Sequence, residues 1–233
     1  MALPKLNTPT HRLVLPSTNE EIKFRPFLVK EQKLLLMAQQ NDNEKELIDS
    51  VLQIIKNCTG LEVLNLPVFD VEYLFLKIRA KSVGDIVELH VKCPDDEETY
   101  DNVTIDLNDV EVQIDDSHKN IIDITDDIKM IMKYPKMSDI QFNEIDENDI
   151  SKVFEMLKKC ISQVHNGNEV INSIDMKPKE ISDFIDSLNT NQFENVIAFF
   201  NTMPKIRHVV EVTNPKTKVK SEVLLEGLQS FLE

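Results

Sequence analysis

The chain has 233 residues, a length that favours one domain or two small ones. Lys and Arg number 26 and Asp and Glu number 41, so the formal net charge is −15. This charge disfavours nucleic acid as the main partner, because phosphate binding needs a dense basic patch. Only 4 glycines occur, where average usage would give about 16; because phosphate-holding loops need glycine, a nucleotide-binding enzyme is also disfavoured.

The cysteines and the hydrophobic runs bear on the cellular compartment. Cys58, Cys93 and Cys160 are odd in number and far apart, which predicts no disulfide framework. The first ten residues contain no apolar run of signal-peptide length, and no run of 18 apolar residues occurs. We therefore expect a soluble protein made in a reducing cytoplasm, without a membrane partner.

The N-terminal section begins with an arm and a hairpin. Residues 1–10 are interrupted by proline and poorly patterned, so we expect an extended arm that becomes ordered on a partner. Leu13–Leu15 and Ile22–Phe27 flank the turn-rich segment 16–19, which predicts a β-hairpin.

Three helices are predicted to follow the hairpin. Lys30–Gln40 contains no helix breaker, and the apolar residues of Glu44–Cys58 recur at helical spacing. Phe69–Val83 is so apolar that it should be central to the core, with Asp70 as its N-cap and Gly84 as its C-cap.

The pattern changes to a period of two after Gly84. Asp85–Lys92 alternates strictly between apolar and polar residues, and Tyr100–Leu107 returns with a similar pattern. Val110–Ile114 and Asn120–Met132 add shorter strands. The section 85–134 therefore predicts a small antiparallel meander.

Helical spacing returns in the C-terminal section. The apolar residues from Ile150 to Val164 predict an amphipathic helix that ends at Asn166–Gly167. Pro178 opens a second helix, and Asn191 with Glu194 resembles the capping box of a third.

The chain is predicted to end in a second hairpin and a short helix. Ile206–Thr213 and Lys218–Val223 form the hairpin, and Leu224–Leu232 forms the helix. The fold class is α+β, with helices before and after a small antiparallel sheet. The three sections, which can also form one compact unit, are 1–84, 85–134 and 135–233.

No residue pattern identifies a catalytic or metal site. The histidines lie in no local signature of a nucleophile or a zinc site: His11, His90, His118, His165 and His208. His90 and Cys93 are spaced like two metal ligands, but a structural zinc site needs four. We therefore predict no catalytic residue, no metal and no cofactor; a hydrolase site assembled only in space is an alternative.

The charges are unevenly distributed. Cys93–Asp127 contains 13 acidic residues and one Lys, and it lacks the central glycine of a calcium loop. Residues 1–35 contain six basic and three acidic residues, and residues 201–220 contain five basic residues and one acidic residue. Regions of opposite sign can orient neighbouring proteins; ordinary surface charge is the alternative.

Three segments together closely resemble the base plate protein family of T4-like bacteriophages, a hub component of the contractile tail. They are PTHRLVLPST (9–18), IKFRPFLVKEQKLLLMA (22–38) and FDVEYLFLKIRAKSVGDIVEL (69–89). The family motifs stand at Phe24–Phe27, Lys30–Lys33 and Leu74–Asp85, and the resemblance covers about the first 90 residues well.

The resemblance implies a role in virion assembly. The chain is expected to be a non-enzymatic subunit or assembly factor of the baseplate hub, with other hub or tail proteins as partners. It would be present in the host cytoplasm during assembly and then in the tail baseplate. A transient assembly chaperone that is absent from the mature virion is an alternative.

Five residues within these motifs are the candidate partner contacts. Arginine and aromatic residues are enriched in the cores of protein interfaces, so the candidates are Phe24, Arg25, Phe27, Arg79 and Lys81. Arg79 and Lys81 lie at the end of an apolar helix, where cations complement the helix C-terminus. Arg79 either complements its own helix C-terminus in this way or pairs with an acidic loop or with a partner.

Overall fold

The computed structural model describes residues 6–40, 43–140 and 150–231. These residues form six α-helices and eleven β-strands, and every strand pairing is antiparallel. The predicted α+β class is therefore confirmed. No helix among the described residues is both long enough and apolar enough to cross a membrane.

The helices are α1 (Val29–Gln40), α2 (Glu44–Thr59), α3 (Val68–Val83), α4 (Ile150–Cys160), α5 (Pro178–Asp186) and α6 (Thr190–Thr202). The strands are β1 (His11–Val14), β2 (Glu21–Phe24), β3 (Ile86–Lys92), β4 (Tyr100–Asp106), β5 (Glu111–Gln113), β6 (Ile121–Asp123), β7 (Ile128–Met132), β8 (Ile161–Asn166), β9 (Glu169–Asn172), β10 (Lys205–Thr213) and β11 (Lys220–Glu226).

The described residues divide into two compact units. The first unit takes its residues from 1–113 and 205–233, and the second from 114–204. The sections 1–84, 85–134 and 135–233 follow changes in sequence pattern instead of contacts, and they stay a prediction about domains.

The predicted N-terminal hairpin and first two helices are confirmed. β1 and β2 pair from His11 opposite Phe24 to Val14 opposite Glu21. The side chain of Asn43 caps α2, and Gly60 ends this helix with a φ of 77°, a left-handed conformation that favours glycine. Residues 1–5 of the predicted arm lie outside the described residues, and residues 6–10 form no helix or strand.

α3 is the central helix of the first unit, as predicted. Leu74, Phe75 and Ile78 are fully buried. The N-cap prediction was wrong, because α3 begins after Pro67 and Asp70 lies inside its first turn. The buried Asp70 carboxylate instead accepts hydrogen bonds from the backbone N–H and the hydroxyl of Ser17, so it holds the turn of the β1–β2 hairpin.

The strands of the middle section are antiparallel, but they do not form one meander. β3 pairs with β4, whereas β5 joins β10 and β11 in a three-stranded sheet. β6 and β7 belong to a four-stranded sheet with β8 and β9. The alternating pattern predicts that a segment is a strand, but it does not identify the partner strand.

The core of the first unit lies between α3 and its sheets. Leu76 and Ala80 of α3 pack in one cluster with apolar residues of β3, β4, β10 and β11. The members that are at most 2% exposed are Leu76, Leu89, Leu107, Val110, Ile206, Val212 and Phe231.

The second unit corrects the predicted helix from Ile150 to Val164. α4 ends at Cys160, and β8 begins at once with Ile161. Asn166–Gly167 is the turn between β8 and β9 and not a helix end. Gly167 has a φ of 56°, and the pair Asn-Gly is a strong signal for a tight hairpin turn.

The helices of the second unit share one hydrophobic core with its sheet. α5 begins at Pro178, as predicted, whereas the capping box of α6 is formed by Asn189 and Gln192, two residues before the predicted pair. The core joins strand residues such as Met130 to helix residues such as Leu157 and Phe199.

The C-terminal hairpin is confirmed, but the predicted terminal helix was wrong. Leu224 and Leu225 lie in β11, which pairs with β10 as far as Glu226. A short 3-10 helix at Leu228–Phe231 follows, and Leu232 lies outside the described residues. The strand persists because its partner strand is long enough to continue the hydrogen-bonded pairing.

Truncation of Leu74 should show the dependence of the first unit on α3. Leu74→Ala is expected to lower the free energy of unfolding by about 2–5 kcal/mol, because it leaves a cavity in a well-packed core. Leu36→Ala is the matched control, since Leu36 is 53% exposed on α1, and it should change stability by about 0.5 kcal/mol or less. Urea denaturation measures both, and equal small effects would contradict the central position of α3.

Candidate partner interface

Two of the five predicted contact residues are core residues. The side chains of Phe24 and Phe27 are 3% and 7% exposed. The ring of Phe24 lies 5.4 Å from that of His11 on the paired strand. Their aromatic surface is therefore already used inside this chain, and a contact with a partner stays a prediction.

Arg25 forms an internal ion pair. Its Nη2 donates to Oε1 of Glu31 at 2.9 Å, and its Nη1 donates to the Pro26 carbonyl at 2.9 Å. Glu31 is 1% exposed and also accepts from the Leu28 backbone N–H at 2.9 Å. The backbone N–H of Arg25 donates to the carbonyl of Cys58 at 3.0 Å. The Phe-Arg-Pro-Phe motif thus connects the hairpin to α1 and to the end of α2.

The ion pair shifts the pKa values of both groups. Burial alone would raise the pKa of Glu31, but the hydrogen bonds from Arg25 and Leu28 outweigh burial and lower it. The hydrogen bond to Glu31 raises the pKa of Arg25. Both groups are therefore charged in the folded protein at neutral pH.

The acidic turn between β3 and β4 is tied to the C-terminal hairpin. Asp95 accepts from Asn214 at 2.8 Å and from the hydroxyl of Thr217 at 2.5 Å. Asp96 accepts from the backbone N–H and the hydroxyl of Thr99. These hydrogen bonds lower the pKa values of both aspartates. The start of the acidic segment is therefore an ordered turn, held by hydrogen bonds within the first unit.

Lys77 is a structural cation that the sequence pattern did not identify. Its Nζ donates to the backbone carbonyls of Leu107, Asn108 and Val110 at 3.0, 2.9 and 2.9 Å. Burial lowers its pKa. Lys81, the predicted contact one turn further along α3, is exposed, and its Nζ lies 3.5 Å from Asn108 Oδ1.

Arg79 is the one candidate with a buried side-chain nitrogen that has no hydrogen-bond partner among the described residues. Its Nη1 is buried without a hydrogen-bond partner, and no described acidic side chain pairs with it. Burial lowers its pKa. A cation can complement the helix C-terminus without a hydrogen bond, so both alternatives for Arg79 stay predictions.

The structure separates His90 from Cys93. His90 is on the exposed face of β3, whereas Cys93 is fully buried, as expected for residues three apart in extended backbone. Among the described residues, no group of three or more His, Cys, Asp or Glu side chains is arranged to hold a metal ion.

His118 is the histidine whose contacts most resemble a nucleophile–base pair. Its Nδ1 lies 2.9 Å from the hydroxyl of Thr202, and its Nε2 lies 3.1 Å from the hydroxyl of Tyr134. However, the Thr202 hydroxyl donates to the Ala198 carbonyl at 2.7 Å. Thr202 must therefore accept from Nδ1–H, which is the opposite of what a general base requires.

The comparison with known families covers both units. A family model described as T4 bacteriophage base plate protein matches residues 8–233, nearly the whole chain. The chain belongs to this family. This membership confirms the resemblance of the first 90 residues and extends it over the rest of the chain. No curated protein and no solved structure matches the chain.

Neutralising Glu31 should destabilise the first unit in a pH-dependent manner. Glu31→Gln leaves Arg25 without its charged partner, so we expect a loss of about 1–3 kcal/mol at pH 7. The folded-state pKa of Glu31 is lowered, so its contribution is present above the unfolded-state value of about 4.3. It is lost as the pH falls through the folded-state pKa, and the difference between wild type and variant should then shrink.

Urea denaturation from pH 7 to pH 3 measures this difference. Glu21→Gln is the matched control, because Glu21 pairs with Arg12 in an exposed ion pair with side chains 51% and 66% exposed. The control should lose about 0.5 kcal/mol or less at pH 7. A Glu31→Gln variant as stable as the control would contradict the role of this pair.

A chelator should leave the thermal stability unchanged. A structural zinc ion would contribute folding free energy, and the opposite positions of His90 and Cys93 do not provide a shared site. The melting temperature is therefore expected to be the same with and without EDTA, in wild type and in His90→Ala. A decrease with EDTA that added zinc reverses in wild type alone would show that His90 is a ligand.

Proposed function

We propose that this protein is a non-enzymatic structural or assembly component of the baseplate hub of a T4-like phage tail. It acts through contacts with other hub or tail proteins, in the host cytoplasm during assembly and then in the tail baseplate. The observation that carries the proposal is the family match over residues 8–233.

The environment of the nucleophilic side chains supports a non-enzymatic role. Burial raises the pKa of Cys58 to about 11 and that of Cys160 to about 12, so both thiols stay protonated and unreactive. Cys93 is also buried, and its pKa is raised. The Thr202 hydroxyl points its proton away from His118, as described above.

The pairing of the C-terminal basic residues supports protein partners over nucleic acid. Lys205 and Arg207 form ion pairs with Glu226 at 2.6 and 2.7 Å, and Lys220 pairs with Glu211 at 2.6 Å. These carboxylates neutralise the cations locally, and the chain as a whole carries a net charge of −15. Binding to a polyanion would therefore gain little from them.

Purification from infected cells tests the proposal. A tagged copy of the protein should co-purify with baseplate proteins identified by mass spectrometry, and it should also be present in purified mature tails. Recovery from assembly intermediates but not from mature tails would favour a transient chaperone. The control is the same tag on an unrelated acidic protein of similar size, and equal recovery from both would contradict the proposal.

A further inference from the structure

Arg79 on α3 carries a guanidinium with one unsatisfied nitrogen. Its Nη1 is the one buried side-chain nitrogen or oxygen of the described residues that lacks a hydrogen-bond partner. A buried charged donor without an acceptor destabilises the protein that contains it, because the group has lost its hydration without compensation. Such an exception calls for an acceptor from outside the described residues.

The neighbouring charged residues of α3 show that this fold does satisfy buried groups. Asp70 accepts from Ser17, and Glu72 accepts from the backbone N–H of Leu228 at 3.0 Å. Lys77 donates to three carbonyls. Arg79 as a residue is only partly buried, so atoms of it other than Nη1 reach the surface, where a partner can approach.

Exposed apolar residues surround the same end of α3. The backbone N–H of Phe27 donates to Ser82 Oγ at 2.9 Å, which places the start of α1 beside the last turn of α3. We name the exposed apolar residues there the α3-end patch. They are Leu28, Val29, Val83 and Ile86, with exposed fractions of 43%, 80%, 51% and 58%.

We propose that Arg79 and the α3-end patch bind a segment of another baseplate protein in which a carboxylate lies beside apolar side chains. This inference rests on the proposed function. A carboxylate matches the planar guanidinium, because two parallel N–H···O hydrogen bonds can form between them. Val83 lies one helical turn after Arg79 on the same face of α3, so one segment can contact both.

The net charge of the chain selects the kind of partner. At −15, the chain repels both nucleic acid phosphates and a second copy of itself. A different protein that presents a single acidic residue within an apolar segment avoids most of this repulsion. A desolvated arginine with an apolar rim is also a common form of interface hot spot.

Co-expression tests the inference with defined partners. The tagged chain is co-expressed with each of the other baseplate proteins of the same phage in turn, and the Kd of the complex that forms is measured. Arg79→Met should weaken this complex by about 30-fold or more. Arg79→Lys should bind with intermediate affinity, because it keeps the charge but not the paired hydrogen bonds.

Two controls separate binding from folding. Arg12→Met removes an exposed arginine of the same unit and should change the Kd by about twofold or less. The free Arg79→Met protein should have an unchanged or higher melting temperature, because replacing a buried unpaired charge with an apolar side chain removes a desolvation penalty. A clear decrease in its melting temperature would show an internal partner and overturn the inference.

The remaining outcomes distinguish this inference from the proposed function. If the wild-type chain binds none of the baseplate proteins, both are overturned. If it binds one of them and Arg79→Met binds equally well, only the inference is overturned. The partner's Asp and Glu residues are replaced one at a time with Asn and Gln. At one position the replacement should weaken binding of the wild-type chain and leave binding of Arg79→Met unchanged. Equal effects on the wild-type chain and on Arg79→Met would also overturn the inference.

Discussion

The first unit depends on the burial of one helix on nearly all sides. α3 contacts α2 on one side and the strands β5 and β10 on another, and its residues from Leu74 to Leu76 are inaccessible to solvent. A helix that is apolar around most of its circumference has to be enclosed in this way. The hairpin, the helices and the sheets of the first unit are therefore arranged around a single element of 16 residues.

This enclosure determines how the polar groups of α3 are used. Buried polar atoms need hydrogen-bond partners. The buried polar side chains of α3 find them in backbone or side-chain groups of distant parts of the chain. Asp70 is hydrogen-bonded to the hairpin turn, and Glu72 to the turn after β11. Lys77 is hydrogen-bonded to carbonyls between β4 and β5. These hydrogen bonds hold the surrounding elements in place against α3. The unsatisfied Arg79 is the group of α3 that remains available to another molecule.

The sequence predicted the elements whose signals are local. Gly60 ends α2, and the alternation of β3 is decisive, because in both cases the neighbouring residues determine the conformation. The helix-to-strand change at Ile161 was missed, because Ile161 and Val164 fit helical spacing, while the pairing of β8 with β7 depends on residues some 30 positions away.

At the candidate site, the motif containing Arg25 was recognised, but its pairing with Glu31 was not. The structural role of Lys77 could not be predicted, because its acceptors are backbone carbonyls. Every residue has a backbone carbonyl, so the sequence does not indicate which ones accept a hydrogen bond.

The division of the first unit into two stretches of chain has a consequence for biosynthesis. Val112 of β5 pairs with Ile206 of β10, so the three-stranded sheet closes across a separation of more than 90 residues. During translation, the N-terminal part of the first unit is complete long before β10 leaves the ribosome. The apolar surface of α3 that later faces β10 and Phe231 stays uncovered throughout that interval. The second unit is one continuous stretch of chain, so all its strands are synthesised before β10 and β11, the last two strands of the first unit.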